Sequence, residues 1–265
     1  MIKIDLNPIL VELGPIRVSW YGMMYVFGFI ISYLLVRHQV KKKDFGISLQ
    51  EVQDLYFYLI LGLIVGARLG YVLFYDLQMY LSNPLEIFAV WHGGMSFHGG
   101  LIGLLIATSL FCWKNKKSFW NLADLFVVTA PIGLGLGRIG NFINGELYGR
   151  VTEVPWGMIF PKDGPLPRHP SQLYESALEG GVLFLILWLL KDKKHPDGYL
   201  LAIFLFLYGV IRFFVEFFRE PDVQLGFVLG PFSMGQVLCT FMIAVGIFLM
   251  IYLPRKSKPG DSRSR

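Results

Sequence analysis

Side chains that belong in water stand here inside long apolar runs. Arg138 lies in Gly135-Leu-Gly-Arg-Ile-Gly-Asn141, with glycines on both sides. Thinning the bulk around a guanidinium leaves room for a ligand, and a guanidinium grips phosphate through two parallel N–H bonds. A structural ion pair is the competing account, and the residues alone leave both open. Arg212, Glu216 and Arg219 are spaced four and three apart, so they fall on one helical face. Arg212 and Glu216 can pair to make burial tolerable, and a paired arginine keeps spare donors for an anion. His98 sits in His92-Gly-Gly-Met-Ser-Phe-His98-Gly-Gly, where small neighbours leave the imidazole accessible. A neutral imidazole can accept a proton near pH 7, which suits a general base. A histidine satisfied in an apolar core fits the same letters. His169, in Arg168-His-Pro-Ser-Gln, reads as a residue that orders the end of a loop.

The elements that must hold these groups are membrane helices. The chain of 265 residues is 54% hydrophobic and 16% charged, with mean hydropathy +0.54, too apolar for an ordinary soluble domain. A spanning helix needs about 20 apolar residues. Seven runs qualify: Ser19 to Val36, Leu55 to Tyr75, His92 to Trp113, Leu122 to Asn141, Leu173 to Leu190, Gly198 to Phe218 and Pro231 to Leu253. The piece Pro84 to Trp91 is apolar but too short to cross, and reads as interfacial or re-entrant. The fold class expected is therefore an all-α integral membrane protein of about seven transmembrane helices.

Basic residues set its direction. Lys and Arg gather after the first, third, fifth and seventh runs, fifteen in all, against six scattered on the other side. The positive-inside rule then puts the N-terminus outside and the C-terminus in the cytoplasm. The first residues carry Asp5 and Glu12 and no basic start, so they read as part of the mature chain rather than a signal peptide. A charge at mid-bilayer costs at least about 2.5 kcal/mol, so each must face protein or water. With this topology Arg68, His98, Arg138, Asn141, Glu146, Glu175, Glu179, Arg212, Glu216 and Arg219 share the outer half, which predicts one polar chamber there. Only Asp124 falls at an inner end. Glycines every four residues (Gly62, Gly66, Gly70; Gly133, Gly137) read as close helix packing.

Residues 1–254 are expected to form a single polytopic domain, with an external loop over about 144–172 and a basic, disordered tail at 255–265. Cys112 and Cys239 lack metal or CxxC spacing and read as small buried hydrophobes, and no metal or other cofactor is implied. The net charge of +5 sits beside apolar spans, which points to a membrane surface rather than nucleic acid. A lipid or anion transporter explains buried arginines too, but it leaves His98 unused and favours repeated halves, which are not evident. An acyltransferase or phospholipase needs an HxxxxD or GxSxG pattern, and neither accompanies His98.

The motifs themselves resemble a known family. Ser19-Trp-Tyr-Gly, His98-Gly-Gly-Leu-Ile-Gly, Gly137-Arg-Ile-Gly-Asn-Phe-Ile-Asn-Gly-Glu-Leu-Tyr-Gly-Arg150, His169-Pro-Ser-Gln-Leu-Tyr-Glu175, Tyr208-Gly-Val-Ile-Arg-Phe-Phe-Val-Glu-Phe-Phe-Arg219 and Ser233-Met-Gly-Gln236 are similar to bacterial prolipoprotein diacylglyceryl transferases. The resemblance implies a seven-helix enzyme of the bacterial plasma membrane, open to its outer side. It implies transfer of diacylglyceryl from phosphatidylglycerol to the lipobox cysteine of a prolipoprotein, giving a thioether and sn-glycerol 1-phosphate. It also implies importance for Tyr21, His98, Arg138, Asn141, Glu146, Gly149, Tyr208, Arg212, Glu216 and Arg219, with Arg138 on the lipid headgroup. His98 is then the expected base, Arg138 and Arg212 the stabilisers of the leaving phosphate, and Glu146 and Glu216 the acids that hold the arginines.

Overall fold

The computed structural model describes residues 2–14, 16–220, 227–230 and 232–256. Helices dominate it, and five are long and apolar enough to cross a membrane. These are α1 (Trp20–Lys42), α2 (Leu49–Phe74), α4 (Phe97–Asn115), the stretch Ser171–Leu190 and α10 (Met234–Lys256). A sixth is a broken pair, α5 (Phe119–Val127) and α6 (Ala130–Asn144), bent by 46°. Helix α9 (Tyr199–Val215) is apolar but shorter. The protein is an all-α integral membrane protein, and its many exposed large apolar side chains are those a lipid-facing surface requires. Most of the expected tail lies outside the described residues.

The break between α5 and α6 has a local cause. Pro131 cannot donate to the helix before it, and Thr129 and Ile132 turn tightly onto the carbonyls of Phe126 and Thr129. The stretch Ser171–Leu190 is also irregular. It begins as α7 (Ser171–Glu175), loosens into a π-helical turn at Ser176–Val182 and continues as α8 (Leu183–Leu190).

The chain divides into two compact units, residues 37–122 and residues 1–36 with 123–265. In the first, α2 lies against α4 along the glycines at spacing four. A Cβ on Gly62 would come within 2.6 Å of the Gly103 carbonyl, one on Gly70 within 2.7 Å of Gly99 Cα, and one on Gly66 would strike the Gly99 carbonyl. Those three glycines pack as expected. Ser48 and Glu51 close a capping box at the start of α2, and Lys117 ties Glu51 at 2.8 Å. A six-residue helix, α3 (Leu77–Ser82), and two 3₁₀ turns (Pro84–Phe88, Val90–His92) connect α2 to α4.

In the second unit, α9 pairs with α10, and α6 runs beside the π-helical turn, where Gly135 meets Gly180 backbone to backbone. Val127, Val128, Leu183, Leu187 and Leu200 form its buried apolar core. Gly133 stands at a close approach of α1, since a Cβ on Gly28 would come within 3.3 Å of its Cα, whereas Gly137 departs from the packing expectation, a Cβ there meeting open space. Short strands also occur. The N-terminal β1 (Ile2–Lys3) runs parallel to β2 (Met158–Ile159), which pairs with β3 (Pro167–Arg168), so the loop over 144–172 is a small folded layer. Cys112 and Cys239 are buried free thiols.

Asp124 supplies the cap that α9 lacks at its own N-terminal residue, Gly198. Its carboxylate accepts from the Gly198 N–H at 2.7 Å and the Leu201 N–H at 2.9 Å. Asp124→Ala removes both bonds and is expected to destabilise the detergent-solubilised protein by about 1–2 kcal/mol, read as a lower Tm. Asp124→Asn keeps one acceptor and should lose less.

Candidate active site

Helix α9 delivers Arg212 and Glu216 from its last turn. Arg212 Nη2 reaches Glu216 Oε2 at 2.7 Å, the i,i+4 pair read from spacing, and both residues are 7% exposed. The other side of Glu216 is fixed by Ser233, whose hydroxyl donates to Oε1 at 2.8 Å. Gly235 makes the space for this carboxylate, because a Cβ there would come within 2.8 Å of Oε1.

The remaining partners come from the irregular helix. Glu175, 1% exposed, lies between two arginines. Arg138 Nε is 2.5 Å from its Oε2, and Arg212 Nη1 is 3.8 Å from its Oε1. Glu179, fully buried, lies 3.8 Å from Arg212 Nε. Arg138, Glu175, Glu179, Arg212 and Glu216 thus form one buried cluster contributed by three helical segments. The Gly135–Gly180 contact is what lets α6 approach closely enough for Arg138 to join.

Donor use within the cluster is uneven. Arg138 meets Glu175 through Nε as a close ion pair, and no hydrogen bond among the described residues engages its Nη1 or Nη2. Its side chain keeps 21% exposure, and the neighbouring Gly137 opens on empty space. Arg212 Nη1 is buried without a hydrogen bond, as are both oxygens of Glu175 and of Glu179. Arg138 is therefore anchored at one edge while its bidentate edge is left for an anion.

Arg68, expected in the same chamber, is used otherwise. It is 4% exposed, and all five of its N–H donors fall on main-chain carbonyls. Nε donates to Ile87, Nη1 to Gly93 and Gly94, and Nη2 to Glu86 and Ala89. No donor remains for a ligand.

Glu146 also departs from its expected part. Its Oε1 accepts from Asn141 Nδ2 at 2.9 Å and Asn144 Nδ2 at 3.1 Å, while Arg138 is held by Glu175. The Gly145 turn (φ +63°) and the bond from Gln172 Nε2 to the Glu146 carbonyl place this second polar group just past the end of α6. Gly149 is a crossing point. Its N–H bonds the His169 carbonyl at 2.8 Å, it bridges to Arg219, and a Cβ would come within 2.7 Å of His169 Cβ. Arg150 Nε donates to the Arg219 carbonyl, fixing the backbone just beyond α9. His169 orders the loop end as expected, and burial holds its imidazole below the ordinary histidine range. Tyr21 packs on Gly140, two residues from Arg138, with its hydroxyl 3.1 Å from that of Tyr25. Tyr208 lies one helical turn before Arg212 and stacks on Phe204.

His98 belongs to the other compact unit. It stands in the first turn of α4, after the Ser96 cap, and is exposed.

A family model described as prolipoprotein diacylglyceryl transferase matches residues 8–252. The chain belongs to this family. It is 53% identical to the phosphatidylglycerol–prolipoprotein diacylglyceryl transferase of Desulfotalea psychrophila, over 96% of this chain and 95% of that one. The proteins of the same name from Geobacter sulfurreducens and Pseudomonas paraeruginosa are 52% and 50% identical, with 95% of this chain covered in both and 96% and 95% of theirs. The family match thus spans the arginine–carboxylate cluster, the Asn141–Glu146 group and His98 together.

The sequence marks Glu175 and Glu179 as charges in an apolar run but does not name their partners, and nothing in it singles out Gly235. Acids at spacing four facing a buried arginine pair was the available signal. Removing the shared carboxylate leaves two guanidiniums short of charge. Glu175→Ala is expected to destabilise the protein by about 3–5 kcal/mol, the range for breaking a buried pair. Glu146→Ala, which releases only neutral amides, should shift the Tm less.

Proposed function

We propose that this chain transfers the diacylglyceryl group of phosphatidylglycerol to the cysteine thiol of a prolipoprotein lipobox. A C–S bond forms at the glyceryl carbon, the C–O bond to phosphate breaks, and sn-glycerol 1-phosphate leaves. The observation that carries this reading is Arg138, tied at Nε to Glu175 with its terminal nitrogens unengaged, within a chain of this family.

Thiolate attacks more readily than thiol. His98 takes the thiol proton in this scheme, and the site opens to the outer side of the bacterial plasma membrane. The peptide supplies the nucleophile, so Cys112 and Cys239 have no part in transfer. As the C–O bond breaks, charge grows on the departing phosphate, and Arg138 and Arg212 stabilise it. Loss of one such preorganised contact costs about 10² or more in rate. Glu175 and Glu216 hold the arginines in place, while Tyr21, Asn141, Glu146, Tyr208 and Arg219 line the polar path for lipid or peptide. Gly149 serves by letting its neighbours cross. The chain makes seven crossings, counting the broken α5–α6 pair as one and α9 as another, with the N-terminus outside, and forms one polytopic domain.

Three tests follow. In a gel-shift assay with a labelled lipobox peptide and phosphatidylglycerol, His98→Gln is expected to abolish transfer while lipid binding survives. Full turnover would remove His98 as base. Arg138→Ala should weaken phosphatidylglycerol binding and lower the rate by about 10² or more, and unchanged affinity with unchanged rate would contradict its role. A membrane-impermeant maleimide should label Glu153→Cys in intact spheroplasts. Labelling only after lysis would reverse the orientation.

A further inference from the structure

Between the end of α2 at Phe74 and the start of α4 at Phe97 the chain shows a surface that no step of transfer uses. Phe74, Leu81, Leu85, Phe88, Trp91 and Phe97 are each between 69% and 84% exposed. Water is a poor medium for six such side chains in one segment. The same apolar surface continues onto the spanning helices through Leu73 and Leu101, both exposed.

The backbone here is irregular, and irregular backbone is tolerated among lipid only where its polar groups are satisfied by protein. They are. The N–H groups of Glu86, Ala89, His92 and Gly93 turn back onto carbonyls three residues earlier. The carbonyls of Glu86, Ile87, Ala89, Gly93 and Gly94 all receive Arg68, whose guanidinium also lies 5.0 Å from the Tyr80 ring centroid. Glu86 is matched by His92 Nδ1 at 2.8 Å. Anionic lipid has nothing to bind, since no Lys or Arg occurs between Arg68 and Lys114.

We infer that residues 76–95 rest in the lipid boundary of the bilayer, held there by apolar insertion alone, with Arg68 standing in for water on their carbonyls. The partner is a bilayer surface of any headgroup charge, and Arg68 is a positioning residue for the segment.

The test uses the full chain in nanodiscs, with Cys112 and Cys239 replaced by Ala and a nitroxide at Leu85→Cys or Trp91→Cys. Collision rates are measured with oxygen, which partitions into lipid, and with a nickel chelate, which stays in water. Oxygen is expected to dominate at both positions, equally in zwitterionic and phosphatidylglycerol-rich discs and equally at 1 M salt, where exposed charge attraction is screened. Dominance of the nickel chelate would put the segment in water and overturn the inference. So would exclusion of both probes, or close spin pairs between two copies, which would mean that protein covers the face. Arg68→Gln in the labelled background should raise nickel access at position 91 several-fold, with Arg68→Lys between the two. An unchanged ratio in Arg68→Gln would remove Arg68 from the account. The probes with Arg68 intact decide the insertion claim even if that variant fails to fold.

Discussion

A carboxylate taken out of water inside a membrane must be matched by positive charge, and the candidate site is arranged around one such match. Glu175 lies between Arg138 and Arg212 with almost no exposure, and neither of its oxygens has a hydrogen bond to fall back on. The two guanidiniums therefore carry the whole compensation for its burial. Because they come from different helices, α6 and α9 are locked to the irregular helix between them. The π-helical turn at Ser176–Val182 belongs to the same solution. It adds a residue to the turn while keeping Glu175 and Glu179 on the arginine side and Gly180 against Gly135. Around this centre the smaller devices fall into place: Gly235 and Ser233 seat Glu216, and Asp124 caps the helix that carries Arg212.

Donor accounting separates arginines that burial alone makes look alike. Arg68 and Arg212 are both nearly inaccessible, and a count of charges in apolar runs treats them as equals. Arg68 has five donors on five carbonyls, which makes it part of the backbone's hydrogen bonding. Arg212 is surrounded by carboxylates and keeps Nη1 unbonded. Arg138 stands furthest from saturation, with a single nitrogen engaged. An anion finds donors only where the protein has left them.

Much of this was legible in the letters because membranes make rules strict. Apolar length gave the helices, spacing four gave the Arg212–Glu216 pair, and Gly62, Gly66 and Gly70 gave the α2–α4 contact. What stayed hidden was tertiary. Nothing local in Glu175 says that it bridges two arginines that each lie 37 positions away on either side of it, while Glu146, much nearer Arg138 in sequence, bonds two asparagines instead. Gly137 shares the spacing of the packed glycines, yet only the position of neighbouring helices shows it facing open space. The strands of the 144–172 loop were missed because two-residue pairings such as Ile2 with Met158 have no periodicity to read.

The choice of arginine at position 138 follows from the two demands placed on it. It must neutralise Glu175 closely enough to let that acid stay buried, and it must still present positive charge to a ligand. An ammonium concentrates its charge and donors on one nitrogen, so a carboxylate at 2.5 Å would absorb most of its field and directionality. A guanidinium spreads charge over three nitrogens in a plane. Its Nε edge can serve the framework while the Nη1 and Nη2 edge is kept for a ligand. The ion pair then restrains the side chain before any lipid arrives, so less rotamer freedom is lost when a phosphate is gripped. Structural burial and ligand recognition are two uses of one planar group.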